Sequence, residues 1–249
     1  ISTGDERDCK KQTEIFVPLV FVHESVAKGM NEKSYNDFLF KSASWSKDSL
    51  DRATVYPTLS GLFQYPQERG YYCGYAAMQS VLKYHGINKT QQEIAGEAYN
   101  KNDSLAWFAG SQSQAEDWNY YPAAVYLNTL LDHDFRPYNA YFGTYTESEL
   151  SQKLRYNISE AREPVLIAGI SKGNDSNGSK LPGYPNEDIG HWIVAYRVAW
   201  DTEAQSVSRV HYRDPAKSDA VSWSGSISAT ADTDLTRMYK FSLGLGIIS

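Results

Sequence analysis

With 249 residues, 41% of them apolar and 22% charged, the chain is long enough to build a substantial core, as one domain or as one domain with an N-terminal attachment. A formal net charge of −6 and the lack of a basic patch argue against nucleic acid as a main partner, and no apolar run is long enough to span a bilayer. Nineteen tyrosines among many Ser, Asn and Thr, with Asn-x-Ser/Thr sequons at Asn88, Asn102, Asn157, Asn174 and Asn177, fit a secreted or cell-surface protein.

The chain opens at Ile1 with neither methionine nor signal peptide, as expected of a processed product or a trimmed piece. Residues 1–11 are polar. Residues 15–22 form an apolar, strand-like run that Pro18 pushes toward an edge or a bend, and residues 32–39 read as a short helix capped by Asn31. No linker separates this part from Tyr56 and the residues after it. Residues 1–55 are therefore expected to be an N-terminal extension or pro-region-like element packed on a core domain of residues 56–249. The two cysteines, Cys9 and Cys73, are too few for a disulfide framework; they are two free thiols or a reversible pair in which Cys9 caps Cys73.

The most informative stretch is residues 67–86. Ala76, Ala77, Met78, Val81 and Leu82 recur at helical spacing and Gly86 is a stop signal, which predicts a buried helix over residues 74–85 with Cys73 at its mouth. There the first backbone N–H groups lack intrahelical partners and the helix dipole favours a thiolate over a thiol. A cysteine at a helix start is by itself more often a small core residue than a nucleophile.

Further helices are predicted over residues 90–100, over residues 122–131 with Pro122 in the first turn, and over residues 146–162, which the box Thr146 to Glu149 opens. The polar and aromatic residues 101–121 between them have no clear period and read as a functional loop, either a wall of a substrate cleft or surface aromatics. Residues 164–171 read as a strand. The Gly-, Asn- and Pro-rich residues 172–190 read as a mobile loop where substrate enters. Gly190 to Tyr196 and Val207 to Arg213 read as two strands joined near Asp201-Thr202, a hairpin that brings His191 close to Asp214. Residues 224–236 are polar, with a helix expected from Ala229, and residues 238–243 read as a last strand.

A thiol nucleophile needs a base within hydrogen-bond reach and a third group to orient that base. His191 is the best base: His85 lies at the far end of the central helix, His23 and His133 have no partner pattern, and strand alternation puts His211 on the face opposite Asp214. Asp214-Pro215 reads equally as the orienter or as a strand-ending turn. Gln67, just upstream of Cys73, can donate to an oxyanion. Scattered histidines and two distant cysteines lack zinc-site spacing, no phosphate-cradling glycine loop occurs, and no metal or cofactor is expected. Paired-carboxylate hydrolysis stays open, although no spacing singles out a pair.

Gln67, then Cys73-Gly74, then Gly190-His191 on one strand and Asp214-Pro215 after the next resemble the papain-like cysteine peptidases. Within them the chain is most similar to the family related to the bacteriocin-processing, double-glycine leader peptidases, over residues 56–249. The resemblance implies an α+β fold with a catalytic helix packed on an antiparallel sheet. It also implies Cys73 as nucleophile, His191 as general base and acid, Asp214 as orienter, Gln67 as oxyanion donor, and a peptide or protein substrate. The leader peptidases carry Asp before the cysteine and Pro after Cys-Gly, where this chain has Tyr72 and Tyr75, so the thiol chemistry transfers and the leader specificity does not. The same parts would serve a transglutaminase- or transpeptidase-like acyl transferase, or survive in a binding protein on an inactive scaffold.

Overall fold

The chain's computed structural model describes residues 54–99, 122–131, 138–141, 143 and 145–249. The expectations for the strand at 15–22, the helix at 32–39, Cys9 and the aromatic stretch 101–121 lie outside the described residues. So does the predicted N-terminal element up to residue 53.

Seven antiparallel strands form one sheet: β1 (Thr54–Val55), β2 (Ala140–Tyr141), β3 (Val165–Ser171), β4 (Ile189–Asp201), β5 (Ser206–Arg213), β6 (Thr230–Asp234) and β7 (Gly246–Ile248). Their order is β2-β7-β3-β4-β5-β6, with β1 added to the C-terminal end of β4 through Thr54 opposite Asp201. Among the described residues five α-helices accompany them: α1 (Cys73–Tyr84), α2 (Gln91–Tyr99), α3 (Pro122–Leu131), α4 (Glu147–Arg155) and α5 (Leu235–Ser242).

Alternation along the central strands divides the interior in two. Leu166, Ala168, Trp192 and Val194 pack with Met78, Val81 and Leu82 of α1, Ile94 of α2 and Leu127 of α3. The residues between them, Val165, Ile167, Ile193 and Ala195, pack with Leu150 and Leu154 of α4 and with Met238 and Phe241 of α5. Helices therefore cover both faces of β3 and β4, which explains why these strands read as continuous apolar runs. Gly169, opposite His191 in the ladder, permits the closest approach of α5: a Cβ there would lie 2.1 Å from the Phe241 carbonyl oxygen.

The predicted helix starts hold. Thr146 and Glu149 form a reciprocal capping box on α4, and Thr90 and Glu93 make the same exchange at α2, with N–H to side-chain distances of 2.7 and 3.1 Å. The helix predicted through residue 162 changes pitch at its middle. From Tyr156 to Ala161 it is a π-helix, within which Asn157 and Ser159 return hydrogen bonds to the carbonyls of Lys153 and Arg155. The C-terminal segment differs more. Residues 230–234 are the edge strand β6, and the stretch predicted as a final strand is α5, capped by the Asp234 carboxylate, which accepts from the Arg237 N–H at 2.8 Å.

Loop 172–188 also departs from its expectation, because it is braced along its length. Asn174 and Asn177 accept from the N–H groups two residues on, the Asp188 carboxylate accepts from the Gly173 N–H, and the Arg237 guanidinium grips both oxygens of Asp175 at 2.9 and 2.8 Å. Composition signalled turns, and the structure bonds each of them. No helix among the described residues is long and apolar enough to cross a membrane.

Candidate functional site

Cys73 is the first residue of α1, and the apolar stripe behind it, buried against β4, fixes where the sulfur sits. It carries a free thiol and is 3% exposed. No side chain caps this helix start, the first turn holds no acidic residue, and so its leading N–H groups are left for whatever lies before the helix.

The hairpin delivers the partner groups. Asp201 organises its turn, accepting from the N–H groups of Glu203 and Ala204 at 2.9 and 2.8 Å. In the ladder Val194 faces Arg213, the last residue of β5, and Asp214 follows it directly. The outcome is a 2.8 Å contact between His191 Nε2 and Asp214 Oδ1, with both side chains almost fully buried. Nε2 is committed to the carboxylate, and the imidazole is also hydrogen-bonded to Cys73. Burial alone would favour the neutral ring. The negative charges of Asp214 and Cys73, with hydrogen bonds to both, outweigh it and raise the His191 pKa to about 10.

Asp214 is held on every side. Oδ1 also accepts the Ala216 N–H at 2.9 Å, and Oδ2 accepts the Tyr184 hydroxyl at 2.9 Å. Tyr184 and Trp223 pack against each other with ring centroids 4.9 Å apart and flank the His191 ring at 5.8 and 6.2 Å. Neither aromatic was singled out from the sequence. The available signal was an aromatic held between Pro182-Gly183 and Pro185, which the reading of that loop as mobile passed over.

Gln67 is 2% exposed. Its Nε2 donates one hydrogen to the Arg69 carbonyl at 2.8 Å and keeps a second, while Oε1 has no partner. The segment around it is tied to the chain just after Asp214: Gln67 N–H donates to the Pro215 carbonyl at 2.9 Å, Ser218 Oγ donates to the Gln67 carbonyl, and Gln64 Nε2 donates to the Asp214 carbonyl at 2.8 Å. An open depression of about 510 Å³ lies between residues 66–68 and 217–220.

The remaining histidines stand elsewhere. His85, at the other end of α1, pairs with Glu163 at 2.8 Å. His211 lies across from Arg197 in the ladder, and burial followed by the Arg197 charge lowers its pKa. His23 and His133 lie outside the described residues. No group of three or more His, Cys, Asp or Glu that could hold a metal ion occurs among the described residues.

A family model described as the Peptidase C39 like family matches residues 60–232. A crystal structure from Bacillus anthracis assigned as a C39-like peptidase is similar at 17% identity and a TM-score of 0.46, over 78% of this chain and 96% of that one. No curated protein sequence matches significantly.

Proposed function

Because the chain belongs to the Peptidase C39 like family, we propose that it hydrolyses peptide bonds through Cys73, His191 and Asp214, with Gln67 as an oxyanion donor. The observation that carries this reading is the buried hydrogen-bonded series from Cys73 through His191 to Asp214. In the resting site His191, its pKa raised to about 10, is able to take and hold a proton across the neutral range.

The thiolate attacks the substrate carbonyl carbon, and the C=O electron pair moves to oxygen. The free Nε2 hydrogen of Gln67 and the uncapped N–H of Cys73 stabilise that oxyanion. His191 then gives its proton to the leaving amine, the C–N bond breaks and an acyl-thioester remains. Water attacks the thioester with His191 taking its proton, the C–S bond breaks, and the acid product leaves as the thiolate-imidazolium pair reforms. Asp214 orients the ring and balances its charge. The tyrosine- and sequon-rich composition supports a secreted or cell-surface setting for this activity.

Turnover of a peptide library by the wild type and by Cys73→Ala tests the reading. Cleavage by the wild type and none by the variant is expected, and full turnover by Cys73→Ala would sink it. The same assay with a labelled amine present separates hydrolysis from transfer, since hydrolysis leaves the label free.

A further inference from the structure

Two buried tyrosines lie near Asp214, and their hydroxyls are used differently. Tyr212, on β5, is fully buried with its hydroxyl unpartnered, so its place is a matter of packing. Tyr184 is 4% exposed, and its hydroxyl donates to Asp214 Oδ2, the oxygen that His191 does not use. The turn that aims it is specific. Gly183 has φ +79° and could not carry a Cβ, which would fall 2.2 Å from the Ser226 carbonyl oxygen. Ser226 Oγ in turn donates to the Gly183 carbonyl at 2.6 Å, and Leu181 N–H donates to Ser171 Oγ at 3.0 Å. Burial, and then the charge of Asp214, push the Tyr184 pKa well above the usual phenol value, so this hydroxyl keeps its proton and remains a donor at all working pH.

We propose that Tyr184 is a positioning residue for the His191–Asp214 pair, fixing the carboxylate through Oδ2 so that Oδ1 faces His191. This rests on the cysteine-peptidase reading and extends it to a residue the family match does not assign. The ionisable groups gathered here are Cys73, His191, Asp214, Tyr184 and Tyr212. Without the donor on Oδ2 the carboxylate is free to turn, Oδ1 leaves His191, and the imidazolium and the thiolate beside it lose the counter-charge that holds them.

Tyr184→Phe keeps the ring against Trp223 and removes only the donor. Expected are a roughly tenfold fall in kcat/KM carried by kcat, KM nearly unchanged, and an acid limb of the pH–rate profile that moves up by about one pH unit, the equivalent of one charge-assisted hydrogen bond. The ultraviolet absorbance of the thiolate, followed against pH in resting enzyme, should shift in the same direction. A purely structural tyrosine would lower Tm and leave both titrations in place, and that result would overturn the inference. A wild type without a thiolate signal would overturn both this inference and the peptidase reading, whereas an intact wild-type signal that Tyr184→Phe does not move would overturn this one alone. If the phenylalanine variant does not fold, difluorotyrosine at position 184 replaces it as the probe. Its more acidic hydroxyl should move the acid limb down, and an unmoved limb would again count against the role.

Discussion

Asp214 and Gln67 are equally buried polar side chains, yet their surroundings differ. The carboxylate receives three hydrogen bonds, from His191, Ala216 and Tyr184, and its backbone is held as well. The amide donates once, keeps a spare hydrogen and leaves Oε1 unmatched. A saturated group has its geometry settled before any substrate arrives. A group with spare capacity is suited to meet charge that exists only during reaction. Under the proposed mechanism the contrast gives pre-organisation to the acid-base half of the site and reserve to the oxyanion half.

Substitutions that attack each half separately probe that contrast. Asp214→Asn keeps the shape but withdraws the charge and the matching tautomer. A loss of about 10⁴ in kcat is expected for removing such a carboxylate, and stopped assays on a fluorogenic peptide would measure it. Gln67→Ala removes one oxyanion donor and should cost about 10²–10³ in kcat with little change in KM. A larger effect on KM than on kcat would mean that the amide binds ground-state substrate, and the contrast would fail.

The smallest effect concerns stability. The folded pKa of His191, raised to about 10, lies above the ordinary 6.5, so the stabilisation from its charged form is complete below about pH 6.5 and is lost as pH rises toward 10. Melting curves of the wild type should therefore show Tm declining over that alkaline window. In Asp214→Asn the decline should flatten, because the main counter-charge is gone. Equal slopes in the two proteins would remove Asp214 as the cause of the raised pKa.

The parts legible in the sequence were those whose signal is local. The stripe of Ala76, Ala77, Met78, Val81 and Leu82 located α1, and Thr146 with Glu149 located the start of α4, because each pattern is satisfied within a turn or two of its own backbone. The β4–β5 hairpin was legible for the same reason, and with it the meeting of His191 and Asp214. Residues 230–242 were misread because β6 is a polar edge strand whose pattern is weak. In α5, the buried series Leu235, Met238 and Phe241 has helical spacing, but its aromatic and apolar density favoured a strand and the Asp234 cap went unused. Tyr184 was invisible for another reason: its meaning depends on Asp214, thirty residues away, and on the bond from Ser226 to the Gly183 carbonyl.

The ties from residues 64–67 to Asp214, Pro215 and Ser218 have a mechanical consequence. Gln67 and Asp214 ride on one cross-linked frame, which the bond from Tyr65 N–H to Ser80 Oγ ties in turn to the helix that bears the sulfur. Under the proposed mechanism, a tug on the amide by an incoming carbonyl would pass through these ties to the carboxylate that holds His191, so that the two segments move as one.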